Sequence, residues 1–137
     1  MRFEGKVSRH GRFWLAEIPL LDAITQGRSR KEALEMIGDW LETMVNRQGF
    51  KTHVHPGRRD DFEVEGSDAA AMTAFMLRRL RETSGSSLGE VAARLGSTSR
   101  NAYARYERGD AVPTLEKLDE LVRAARGGDF VIREATH

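Results

Sequence analysis

The run Thr98-Ser99-Arg100-Asn101, followed by Arg105 and Arg108, concentrates the side chains of this 137-residue chain best suited to reading a nucleic acid. A guanidinium presents two parallel N–H groups that match O6 and N7 of guanine, and a carboxamide matches N6 and N7 of adenine. The hydroxyls of Thr98 and Ser99 serve either base edge, and Arg105 and Arg108 suit phosphates. Tyr103 and Tyr106 fall on the opposite face of the same segment and are expected to pack inward against Leu95 and Leu118.

Other chemistry is weaker. His53 and His55 are two apart on an expected strand and share a face, but spacing supplies no third metal ligand, so they read as surface residues. Asp22, Asp39, Asp60 and Asp61 fall in a loop, a helix and a turn rather than at strand positions that would gather carboxylates around a divalent metal. Catalysis, a metal and a cofactor are therefore not expected. The chain has no cysteine, which excludes disulfides and thiolate sites and fits a reducing cytoplasm. No apolar run has signal-peptide or membrane-span length, so a cytoplasmic location is expected. The net charge is only +1 and both halves are near neutral, so any polyanion site must come from local placement of charge.

The elements that position these residues divide into an α+β half, residues 1–66, and a helical half, residues 67–137. "MRFEGKV" and "FWLAEIP" alternate as two strands, with Phe3, Gly5 and Val7 on one face of the first and Trp14, Ala16 and Ile18 on one face of the second. A turn at Gly11 joins them, and an ordered loop, "LLDAITQGRS", is expected to follow. Ser29 and Glu32 form a capping box before a helix with Ala33, Leu34, Ile37 and Leu41 at helical spacing, flanked by Trp40 and stopped by Gly49. "FKTHVH" and "FEVE" then read as two strands around the turn "PGRRDD", giving a ββαβ(β) order. Trp14 and Trp40 read as packing between sheet and helix.

In the helical half, Ser67 or Asp68 caps a first helix running to Gly85, with Met72, Phe75, Met76 and Leu80 as core and Arg78 and Arg79 facing solvent. Ser87 and Glu90 form a second capping box, Leu88, Val91, Ala92 and Leu95 give the second helix its apolar face, and Gly96 ends it. The third helix is expected to start with Thr98–Asn101, and Thr114 caps a fourth. The tail "DFVIRE" alternates like a strand. Two short helices around a glycine turn are the layout of a helix-turn-helix, whose second helix presents its N-terminal residues to base edges.

The stretch from Leu77 to Val122 resembles the helix-turn-helix of the Xre and lambda-repressor-like family, on Arg81, Gly96 and Glu107-Arg108-Gly109. That resemblance implies a structural ion pair between Arg81 and Glu107. The stretch from Gly96 to Glu107 is one residue longer than the family's commonest spacing, which leaves the assignment of Thr98–Asn101 to individual base-reading positions open. The first half resembles HicB antitoxins, which carry a partial ribonuclease-H-like domain, on the "AEIP" strand end, the "TQG" loop and the "S-x-x-EAL" helix start. Together the two resemblances imply an antitoxin. Its first domain would bind a HicA-like ribonuclease toxin, and its second, as a homodimer or higher oligomer, would bind operator double-stranded DNA and repress its own operon. The competing readings are a stand-alone transcription regulator with a ligand-sensing N-terminal domain, and a metal-dependent nuclease.

Overall fold

The computed structural model describes residues 1–135. In chain order the elements are β1 (Arg2–His10), β2 (Phe13–Ile18), a 3-10 turn (Pro19–Leu21), β3 (Ala23–Gly27), α1 (Arg30–Val45), β4 (Thr52–Pro56), β5 (Asp61–Gly66), α2 (Ala69–Thr83), α3 (Leu88–Arg94), α4 (Asn101–Glu107) and α5 (Leu115–Arg126). The chain forms two compact units that divide within α2. The first is Met1–Met72 with Glu134 and Ala135, and the second is Thr73–Arg133. Among the described residues no helix is long and apolar enough to cross a membrane.

The first unit is a five-stranded antiparallel sheet of order β3-β2-β1-β5-β4 with α1 against one face. Alternation dictates what α1 covers. Phe3, Val7, Ala16, Ile18, Phe62 and Val64 point to it and are buried, together with Leu34, Ile37 and Leu41 of the helix. The β1–β2 hairpin turns in two residues, Gly11 and Arg12, between the paired His10 and Phe13, and Gly11 takes the left-handed conformation the turn requires. At Gly5 a Cβ would overlap the ring of Phe62, which lies across β1 from the neighbouring strand.

Three expectations for this unit are corrected. The expected loop after Pro19 is a 3-10 turn followed by β3, which forms an edge of the sheet. Its alternation misleads because the apolar Ile24 faces out while Thr25 is buried, its hydroxyl satisfied by donating to the Ala33 carbonyl at 3.1 Å. Gly27 permits this packing, since a Cβ there would stand 2.5 Å from the Ala33 nitrogen. Helix α1 ends at Asn46, which adopts the left-handed cap itself, before Gly49 is reached. At its start, Ser29 accepts from the Glu32 N–H at 3.0 Å, but the Glu32 carboxylate accepts from the N–H of Arg28, one residue earlier than a capping box requires.

In the second unit α2 ends, α3 ends and α4 ends share one device. Gly85, Gly96 and Gly109 each take a positive φ, and in each case the next residue's N–H reaches back to the carbonyl five positions earlier: Ser86 to Arg81, Ser97 to Ala92, Asp110 to Arg105. This Schellman closure satisfies carbonyls that a helix end leaves unpaired and sets three sharp changes of direction in about two dozen residues. Leu77, Leu80, Val91, Tyr103 and Leu121 fill the space between the helices. The expected C-terminal strand is absent. Residues 127–135 have no strand structure, and Val131 and Ile132 are exposed.

Candidate nucleic-acid interface

Helix α3 begins at a complete capping box. Ser87 Oγ accepts from the Glu90 N–H at 3.1 Å, and the Glu90 carboxylate accepts from the Ser87 N–H at 3.2 Å. Those bonds from Ser87 hold the Glu90 carboxyl below the ordinary range for glutamate. After Gly96 the chain does not enter α4 at once. Ser97 Oγ accepts from the Ser99 N–H and Ser99 Oγ from the Asn101 N–H, a pair of short-range bonds that compete with helix formation. Thr98 and Ser99 therefore stand in the turn, Arg100 occupies the cap position, and α4 starts at Asn101. This corrects the expectation that Thr98 and Ser99 belong to the helix. All four side chains are exposed.

The opposite face of α4 anchors it. Tyr103, Ala104 and Tyr106 are buried, and the Tyr103 hydroxyl donates to the Leu77 carbonyl of α2 at 2.6 Å. Burial pushes the Tyr103 phenol far above its usual value, so it remains a donor. At the far end of α4, Arg81 Nε and Nη2 donate to the Glu107 carboxylate at 2.9–3.0 Å, while Arg81 Nη1 donates to the Ser86 carbonyl at 3.1 Å. The two side chains keep only 18% and 7% of their surface, so this fork is the best shielded charge pair of the unit. Two points on α2, Leu77 and Arg81, thus fix both the roll and the axial position of α4.

Sequence reasoning did not single out Arg94. Its Nη1 donates to the buried Ser86 hydroxyl at 3.0 Å and to the Ala124 carbonyl at 2.9 Å, tying the end of α3 to the end of α5. Ser84 does the same from the α2 turn, donating to the Ala125 carbonyl at 2.8 Å. The signal in the sequence is slight: a basic residue in a helix's last turn, which an ordinary solvated face also carries.

The candidate contact residues are already organised. Arg108 Nη2 donates to Asn101 Oδ1 at 2.7 Å, about two turns along the same face, and Arg108 Nε donates to Asp110 at 2.8 Å. The bond from Arg108 occupies one of the two lone pairs of Asn101 Oδ1 and orients the carboxamide. Arg105 leans on Tyr106, its guanidinium carbon 4.8 Å from the ring centroid and one N–H donated to the Tyr106 hydroxyl. Thr98, Ser99, Arg100 and Asn101 lie together at the N-terminal end of α4, with Arg105 and Arg108 further along it.

In the first unit, His53 and His55 do share a face, their rings 4.4 Å apart, but His55 Nε2 meets the Glu65 carboxylate at 2.7 Å. That bond lowers the Glu65 carboxyl below its ordinary value. Among the described residues no three histidine, cysteine or acidic side chains come together in a way that could hold a metal ion.

Comparison with known proteins agrees with this geometry. A family model described as a helix-turn-helix domain matches residues 74–130, which lie wholly within the second unit. Proteins whose names class them as HTH-type transcriptional regulatory proteins are similar to the chain. One from Saccharolobus islandicus strain L.S.2.15 is 32% identical over 78 residues, and one from Saccharolobus solfataricus strain P2 is 31% identical over 78 residues. Each alignment takes in 57% of this chain and 25% of the relative, so the chain spans about a quarter of the length of the curated relatives it matches. The likeness and the clamped α3–α4 pair agree, and residues 74–130 form a helix-turn-helix domain.

Proposed function

We propose that this chain is a non-enzymatic, DNA-binding transcription regulator that serves as the antitoxin of a toxin–antitoxin pair. The observation that carries the DNA-binding reading is the placement of Thr98, Ser99, Arg100 and Asn101. They form an exposed polar tip on a helix held by the buried Tyr103 and the Arg81–Glu107 fork. In this reading α4 enters the major groove, Arg100 and Asn101 meet base edges, and Arg105 and Arg108 meet phosphates. The chain acts as a dimer or higher oligomer, because one helix-turn-helix spans only a half-site and gains affinity by engaging a second about one helical turn away.

The antitoxin role is supported by the order of the two units, a sheet packed on one helix preceding the helix-turn-helix, and by the resemblance of its residues to HicB antitoxins. The sheet unit then masks a HicA-like ribonuclease toxin, and the helical unit represses the operon that encodes both. The test is co-expression with the product of the gene adjacent to this one, expressed as a candidate toxin. The full chain should restore growth and co-purify with the toxin. Footprinting should show protection of a symmetric site upstream of the gene. Growth arrest that persists despite soluble antitoxin would leave a regulator without a toxin partner. That second reading is favoured by one feature, a groove of about 350 Å³ between α1 and β4 whose lining mixes apolar Leu34 and Val54 with charged Lys31, Glu35, Asp39 and Glu42, which has room for a small ligand.

A further inference from the structure

We infer that the end of the sheet carrying the β1–β2 turn is a second contact surface for the phosphate backbone of duplex DNA, separate from the helix-turn-helix. The topology gathers basic residues there from four segments. Arg9 lies just before the hairpin turn and Arg12 within it. Arg28 follows Gly27, which pairs with Trp14 beside that turn. Arg58 and Arg59 lie on the β4–β5 turn, and the Val7 N–H donating to the Asp60 carbonyl at 2.7 Å brings that turn to the same end of β1. Arg30, in the first turn of α1, closes the group by donating to the Arg59 carbonyl at 2.9 Å.

The arginines of this cluster lack carboxylate partners. Arg78 pairs with Glu82 and Arg123 with Asp119 and Asp129, whereas among the described residues the exposed Arg100, Arg105 and Arg126 of the second unit form no such pair either. Among the described residues none of the cluster's six arginines has an ion pair with a carboxylate. Of the acidic side chains in the same stretches, Asp61 is engaged by Lys6, Glu32 by the Arg28 N–H, and Asp60 on the β4–β5 turn acts on Lys6, so the six arginines outnumber the carboxylates around them. Six unneutralised cations on one rim repel one another, and an anionic partner relieves that repulsion. The near-exclusive use of arginine favours phosphate, because its planar fork takes two phosphate oxygens at once. That the polyanion is duplex DNA rests on reading the second unit as a DNA-binding module. An acidic protein or a single-stranded RNA is the competing occupant.

The test uses the full chain and a fluorescein-labelled random-sequence duplex of roughly three helical turns, with binding followed by anisotropy across a salt series. In the variant Arg12→Gln/Arg28→Gln/Arg58→Gln the slope of log affinity against log salt should fall by about 2–3, since each neutralised phosphate contributes about 0.9. All three side chains are exposed, and a melting curve matching the wild type confirms the fold. A slope equal to the wild type's overturns the inference. So does a drop seen with a single-stranded RNA of the same length but not with the duplex, or an unchanged slope accompanied by lost binding to polyglutamate. Arg100→Ala/Asn101→Ala, measured alongside on operator and random duplexes, reports separately on the helix-turn-helix. If it leaves selectivity intact while the triple variant lowers the slope, the helix-turn-helix reading fails and this surface stands.

Discussion

Replacing Glu107 by glutamine keeps the shape of the side chain and removes its charge. In the native unit the carboxylate accepts three N–H contacts from Arg81 at 2.9–3.0 Å, with little solvent on either partner. A carboxamide has one acceptor where the carboxylate has two, so in either orientation its NH2 group faces a guanidinium N–H. Arg81 keeps its charge, its bond to the Ser86 carbonyl and most of its burial. The loss combines a charge-assisted bond, about 1.5–3 kcal/mol, with a stranded and partly desolvated cation, and we expect about 2–4 kcal/mol in total. For a unit of this size each kcal/mol moves the melting temperature by about 4–8 °C, so the helical transition should drop by more than about 8 °C. Far-UV circular dichroism follows that transition. The fluorescence of Trp14 and Trp40, both in the first unit, supplies an internal reference that should move less. Glu107→Leu with Arg81→Met should recover part of the loss, because a hydrophobic pair pays no desolvation of charge. Glu107→Gln melting within about 0.5 kcal/mol of the wild type would refute the reasoning, since surface substitutions alone produce changes of that size.

Four further outcomes are expected. Tyr103→Phe should cost about 1–3 kcal/mol by leaving the buried Leu77 carbonyl without its donor, read from urea denaturation. Gly5→Ala should destabilise the first unit by about 1–3 kcal/mol or more, because its methyl group collides with the Phe62 ring, and tryptophan fluorescence should report earlier unfolding. Arg100→Ala/Asn101→Ala should remove base contacts of about 1–3 kcal/mol each and abolish operator selectivity, while retaining salt-sensitive binding to any duplex and leaving toxin neutralisation in a growth assay intact. The Glu65 carboxyl, held down by His55, should titrate by NMR below the ordinary value of 4.5. Its depressed value makes the His55 contact stabilising above the ordinary carboxyl range, with that contribution lost as pH falls through the folded value. His55→Ala should move the Glu65 titration back up.

Local chemistry carried most of the secondary structure. Thr114 caps α5 and the Ser87–Glu90 box caps α3, because hydroxyl–backbone bonds act within a few residues and need no other part of the chain. Gly96 and Gly109 end their helices for the same kind of reason, as left-handed positions that a side chain resists. The faces of β1 and α1 followed from their periods of two and 3.6. The side-chain types at Arg100 and Asn101 were likewise legible, since which hydrogen bonds a group can make depends on its chemistry alone.

Where distant segments meet, the sequence was silent or misleading. Strand β3 puts Ile24 outside and Thr25 inside, an assignment that only the Ala33 carbonyl and the glycine-sized gap beside α1 make favourable. The tail has the pattern of a strand and forms none, because a ladder needs a neighbour and the pattern does not supply one. Asn101 and Arg108 were singled out as independent contacts, yet the roll of α4 joins them to each other and to Asp110. Arg94 carried only the slight signal of a basic residue in a helix's last turn, and the six arginines at the sheet end carried none. The role of each depends on carbonyls or charges brought near it by segments far away in the chain, and that proximity is a property of the tertiary structure.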